Sequence, residues 1–112
     1  LVRRLPVAAT DLLAWFGPAI GPAHYQIGAD VRDALLARVD RRAVDMALRP
    51  SDSPDKWQAD LYAIARCQLN SLGVSHIYGG GFCTHSETRF YSHRRDGVTG
   101  RMASLIWLSD EV

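Results

Sequence analysis

No apolar run in this sequence approaches the ~18 residues that a membrane-spanning helix needs, and no charged-then-apolar leader resembles a signal peptide. A soluble, cytoplasmic chain is therefore expected. Cysteine is scarce: Cys67 and Cys83 stand far apart, form no Cys-x-x-Cys unit, and suit a reduced compartment better than a disulfide scaffold. Charge of one sign is also missing, because 13 basic residues face 12 acidic ones for a formal net charge of +1. A balance of this kind argues against a dedicated nucleic-acid or membrane-surface binder, so any basic site must be local. Lysine is nearly absent, Lys56 being the one lysine among those 13 basic residues. Nothing supplies a complete set of metal ligands or a complete nucleophile, base and orienter. The glycines at 79–81 are followed by no Gly-Lys-Ser/Thr and no helical pattern, which excludes a phosphate loop of the strand-to-helix type.

What is present concentrates between Gly79 and Leu108. This stretch holds a thiol, two imidazoles and four guanidiniums beside glycines that let a backbone approach a ligand closely. A chain of 112 residues has the size of one domain and can bury a core without staples. The first residues, Leu1 to Leu5, lack a capping residue and read as the last turn of an interrupted helix, so a partial domain spanning 1–112 is expected.

Residues 11–16 form an apolar run suited to a buried strand, with Trp15 in the core, and the Gly-Pro-Ala-Ile-Gly-Pro segment after it is a double turn or a site wall. A helix is predicted over 30–39, capped by Asp30, and a weak strand over 44–48. Trp57, Leu61, Ile64, Ala65, Gln68 and Leu72 recur at helical spacing, which predicts a helix over 55–72 stopped by Gly73, with Trp57 in the core. Strands are predicted over 74–78, 89–95 and 102–108, the last apolar on both faces and hence central. Asp96-Gly97 with Gly100 supplies the turn between the final two. The sum is an α+β domain: a layered mixed β-sheet with helices packed outside.

Cys83 and His85 stand two apart, close enough to share a metal or for the imidazole to influence the thiol, yet two ligands are not a site. A small thiol lining a pocket is the plainer reading. Arg94, Arg95 and Arg101, with Arg89 nearby, could gather anionic oxygens, since a guanidinium fork pairs with phosphate in two bonds. Strand alternation would put Arg94 and Ser92 on one face and Tyr91, His93 and Arg95 on the other, so at most about half of these arginines can serve one site. Phe90 and Tyr91 could stack a planar base or fill the core, and His24, His76 and His93 have no partner at a diagnostic spacing.

Phe82-Cys83-Thr84, the run Arg89-Phe90-Tyr91-Ser92-His93-Arg94-Arg95-Asp96-Gly97, and Thr99-Gly100-Arg101 through Ile106-Trp107-Leu108 resemble the C-terminal half of the YfiH family. These are the laccase-domain or multicopper polyphenol oxidoreductase proteins, now described as purine nucleoside phosphorylases with adenosine deaminase activity. Gly17 to Pro22 with Tyr25 and Gly28, and Asp60-Leu61, look like further motifs of the same family. Tyr91 departs from a second Phe and His93 from a Tyr at the matching positions. The resemblance implies a complete protein about twice this length, whose zinc or copper is held by a His, Cys and His in the preceding half, with no metal ligand here. It implies purine nucleoside and phosphate as substrates, and the upstream half or a separate chain as partner. Cys83, Thr84 and Tyr91 would line the pocket, and Arg94, Arg95 and Arg101 would hold phosphate or support the wall. The alternatives are copper-dependent oxidation of phenols and a noncatalytic half that pairs with another chain.

Overall fold

A computed structural model describes residues 1–110. Two small sheets carry the chain. In the first, strand β1 (Leu13–Phe16) pairs in parallel with β5 (His76–Gly79), in the register Leu13 to His76 through Phe16 to Gly79. In the second, β2 (Gln26–Gly28), β4 (Lys56–Ala59) and β3 (Leu48–Pro50) form an antiparallel ribbon in the order β2-β4-β3. Helices α1 (Ala29–Leu36), α2 (Arg41–Ala47), α3 (Leu61–Ser71) and the short α4 (His93–Asp96), with single 3-10 turns at Val2–Arg4 and Ala9–Asp11, complete it, and the class is α+β as the sequence implied. Among the described residues no helix is long and apolar enough to cross a membrane.

The core lies where α2 and α3 pack against each other and the ribbon. Ile27, Ala43, Val44, Ala47, Ala59, Tyr62, Ile64 and Val74 are its buried hydrophobic residues. Asp40 explains why 41–47 is helix although 44–48 reads as a strand. Its carboxylate accepts the backbone N–H groups of Arg42 (3.0 Å) and Ala43 (3.3 Å), which caps the helix and puts Ala43, Val44 and Ala47 on one buried face. A second carboxylate corrects the long helix. Asp60 accepts the Ala63 N–H at 3.0 Å, so α3 begins at Leu61, while residues 56–59 pair as β4 between two partners. Gly73 ends α3 at φ +92°, as expected of a C-terminal stop. α1 starts one residue before its predicted cap, and Asp30 lies inside its first turn.

Two further predicted strands are absent among the described residues. Residues 89–95 turn into α4, because the Ser92 hydroxyl caps the Arg95 N–H and Gly97 closes the turn at φ +72°. Residues 102–108 pair with no strand among the described residues. Leu105, Ile106 and Leu108 are 82%, 92% and 99% exposed, the opposite of a covered central strand. Trp15 is likewise more than half exposed rather than core, since β1 has β5 on one edge only, and Trp57 is half-buried under the Arg32 guanidinium.

The helical reading of 41–47 separates two neighbours. Val44 is wholly buried and Met46 is exposed, whereas a strand would place both on one face. Val44→Ala is expected to cost about 2 kcal/mol in urea unfolding and Met46→Ala less than about 0.5 kcal/mol. Equal losses at the two positions would return this segment to a strand.

Candidate functional site

Because β1 and β5 run parallel, the loops that follow them leave from the same end of the sheet, where ligands of parallel sheets are commonly held. Gly79 makes the pairing possible at that end. A Cβ there would stand 2.5 Å from the Phe16 carbonyl oxygen, and its φ of +84° is one that glycine tolerates. The loop after β1, residues 17–22, is then tied to the loop after β5 by three contacts. The Tyr62 hydroxyl, sent up from α3, accepts the Ala19 N–H at 2.7 Å and donates to the Phe82 carbonyl at 2.9 Å. The Thr84 N–H donates to the Ala19 carbonyl at 3.0 Å. The Gly21 N–H donates to Cys83 Sγ at 3.2 Å.

Cys83 is therefore an acceptor inside a clasp. Burial pushes its thiol up, but hydrogen bonds from the Ser86 side chain and from the backbones of Ser86, Gly21 and His85 outweigh that and hold it below its ordinary value. His85 acts on the thiol through its backbone; its imidazole stacks on His24 with centroids 4.2 Å apart. The Cys83 N–H donates to Glu87 Oε2 at 2.7 Å, and that bond, opposed by desolvation and aided by Arg89, lowers the Glu87 carboxyl below its usual range.

The arginines divide sharply. Arg89 lies over the rings of Phe82 and Phe90, 4.9 and 4.8 Å from their centroids, and pairs with Glu87 at 2.8 Å. Arg94 donates to the Gln26 carbonyl at 2.9 Å and covers the Tyr25 ring. Arg95 spends all five of its N–H donors within the fold. Nη1 reaches the carbonyls of Thr84, His85 and Glu87, Nη2 that of Phe90, and Nε and Nη2 the Asp96 carboxylate. The Arg95 guanidinium in turn holds the Asp96 carboxyl below its usual range. Arg101 is exposed and has no hydrogen-bond or ion-pair partner among the described residues.

Two adjoining depressions result. One, about 310 Å³, is lined by Pro18, Ile20, Tyr25, buried Thr84, Tyr91, His93, Arg94 and Met102. The other, about 500 Å³, holds Thr99, Gly100 and Arg101, and shares Tyr91, His93 and Met102 with the first. Gly100 seats the Tyr91 ring, since a Cβ would fall 2.7 Å from it. The structure thus gathers Thr84, Tyr91, Arg94 and Arg101 around one surface. Cys83 faces a third depression of about 330 Å³ with Tyr62, Arg66 and Gly80, and Arg95 lines none of the three. A groove of about 470 Å³ between α2 and the end of α3 contains none of these residues.

The sequence reading missed Tyr62 and Arg66, which looked like ordinary helix positions. A tyrosine on the buried side of α3 needs a partner for its hydroxyl, and that is the one signal that could have found it. Sequence alternation also misplaced Arg94 and Arg95. They leave a helical turn in different directions rather than lying on the two faces of a strand.

Residues 1–109 match the family model described as multi-copper polyphenol oxidoreductase laccase. The chain belongs to this laccase-domain family, to which the YfiH proteins also belong. It is 49% identical over 111 residues to a purine nucleoside phosphorylase of Pseudomonas aeruginosa, covering 97% of this chain and 45% of that protein. It is 48% identical over 99 residues to the purine nucleoside phosphorylase YfiH of Escherichia coli, covering 88% and 39%. A crystal structure of a Neisseria meningitidis protein superposes with a TM-score of 0.78 at 37% identity, over 86% of this chain and 39% of the other. The chain thus spans less than half the length of the curated relatives it matches. The family description implies copper, but no three His, Cys, Asp or Glu side chains converge as a metal site among the described residues. With the His24 and His85 rings stacked and Cys83 Sγ accepting hydrogen bonds, the residues of this laccase-domain chain do not fit a copper or zinc centre by themselves.

A depressed thiol pKa means that the thiolate forms at lower pH. Alkylation of Cys83 by iodoacetamide, followed by peptide mass spectrometry, is expected to reach half its maximal rate at a lower pH in the folded chain than in urea. Ser86→Ala moves that midpoint upward; identical midpoints for folded and unfolded chain would contradict the role given to these hydrogen bonds.

Proposed function

We propose that this chain forms one wall of a purine nucleoside phosphorylase that cleaves adenosine or inosine with phosphate, giving free base and ribose 1-phosphate. Adenosine deamination is a further activity of the same complete protein, at a zinc or copper centre whose ligands lie outside this chain. The observation that carries the reading is Arg101, without a hydrogen-bond or ion-pair partner among the described residues, in a depression shared with Tyr91, in a chain 49% identical over 111 residues to a protein that bears the phosphorylase name. In phosphorolysis a phosphate oxygen attacks the anomeric carbon of the ribose as the bond to the base nitrogen breaks, and the base departs with the bonding electrons. Positive charge grows on the ribose, so the phosphate must be held close and correctly turned. Arg101, whose donors have no partner among the described residues, is assigned the phosphate, and Tyr91 and Thr84 the nucleoside. Of the two roles open to Arg94 and Arg95, wall support fits guanidiniums already bonded to carbonyls.

The partner in this reading is the upstream half of the same protein. Leu13, Trp15, Tyr78 and the apolar residues of 102–108 are the surface it covers. The family description favours a second reading, copper-dependent oxidation of phenols, whose ligands would likewise have to come from elsewhere.

Incubation of this chain alone with inosine and phosphate is expected to release no hypoxanthine, and co-expression with the upstream half to restore release. Arg101→Ala in the restored enzyme should raise the KM for phosphate by about tenfold, the loss of one charge-assisted bond. An unchanged phosphate requirement removes Arg101 from the site, and phenol oxidation that depends on added copper favours the second reading.

A further inference from the structure

We infer that Arg95 is the positioning residue of this site, fixing the nucleoside wall without touching phosphate; the inference rests on the phosphorylase reading for the identity of what the wall holds. The geometry is specific. The carbonyls of Thr84, His85, Glu87 and Phe90 belong to one loop that contains no strand or helix, and they converge on a single guanidinium at 2.7 to 3.3 Å. Backbone acceptors in an irregular loop need partners, and one planar fork serves four of them here. The other edge of the fork is gripped by Asp96 at 2.8 to 3.1 Å, so the guanidinium cannot swing away.

Arg95 is itself placed by α4, where the buried Ser92 hydroxyl accepts its backbone N–H at 3.3 Å. The preceding residue, Arg94, bonds Gln26 at the start of β2. Consecutive arginines thus tie α4 to the 84–90 loop and to the ribbon, and the depression lined by Thr84, Tyr91 and His93 lies among the segments they join. A lysine keeps the charge at 95 but offers three donors from one point, and cannot serve four spread carbonyls and a carboxylate together.

Hydrogen exchange on the chain, with Arg95→Lys, Arg95→Ala and Asp96→Asn, tests this without requiring activity. Both Arg95 variants are expected to speed exchange at the Cys83, Thr84, Glu87 and Phe90 amides by about tenfold or more, while the amides of α3 and the β2-β4-β3 ribbon stay as they were. If Arg95→Ala does not fold, Arg95→Lys and Asp96→Asn carry the same comparison. In the enzyme restored with its upstream half, both Arg95 variants should raise the nucleoside KM alike and leave the phosphate KM within about twofold. Unchanged loop amides, acceleration spread evenly over the molecule, or a phosphate KM raised by alanine and rescued by lysine would each overturn the inference. A wild-type enzyme that releases no base at all would instead sink the phosphorylase reading, and the exchange result would still decide whether Arg95 orders the loop.

Discussion

The site end of this molecule depends on satisfying backbone polar groups in loops that have no ladder of their own. Loops 17–22 and 80–90 meet beyond the ends of two four-residue strands, and regular secondary structure accounts for little of their hydrogen bonding. Two side chains from elsewhere do much of it. Tyr62 bridges Ala19 and Phe82, and Arg95 collects four carbonyls of one loop. A buried donor or acceptor left without a partner costs about 1–3 kcal/mol, so these loops hold one conformation through those two groups. The conformation of the walls is in this sense encoded in α3 and α4.

That dependence explains what the sequence disclosed and what it hid. The α+β class, the helix ending at Gly73, the strand into the glycines and the family were legible, since periodicity, glycine stops and motif order are local signals. Residues 41–47 and 56–59 were misread because Asp40 and Asp60 decide them. Each is an N-cap whose effect appears only once the segment before it is placed, the turn that ends α1 before Asp40 and strand β4 before Asp60. Residues 89–95 alternate well enough to pass for a strand, yet Ser92 and Gly97 bracket a single helical turn within and beyond them. Of the candidate residues, Thr84, Tyr91, Arg94 and Arg101 line two adjoining depressions; Cys83 lines a separate one, and Arg95 bonds loop carbonyls in contacts that the sequence does not reveal.

The described residues leave a broad apolar surface uncovered. A radius of gyration of 16.0 Å exceeds the ~13 Å typical of a compact chain this long, and the long axis reaches 52 Å. Residues 102–108 read as a central strand because they are apolar on both faces, but here they stand exposed, with the Ser104 hydroxyl near Gly17 just past β1. The structure overturns that strand, and in the reading proposed above the exposed faces are the surface that the upstream half covers.

The near-absence of lysine acquires a physical meaning from the same contacts. Arg32, Arg66, Arg89 and Arg94 stand over aromatic rings, with Cζ 4.9 to 5.6 Å from the ring centroids, and Arg95 bonds four carbonyls at once. A compact ammonium on a flexible stem performs neither task well, because it has no planar face and its donors radiate from one atom. A guanidinium-rich segment therefore need not be an anion trap. In the run from Arg89 to Arg101 three arginines bond within the fold, and Arg101, without a hydrogen-bond or ion-pair partner among the described residues, lines a depression that adjoins the one lined by Arg94. Charge that is counted from the sequence overstates the charge available to a substrate, and the number of unspent donors is the quantity that bears on binding.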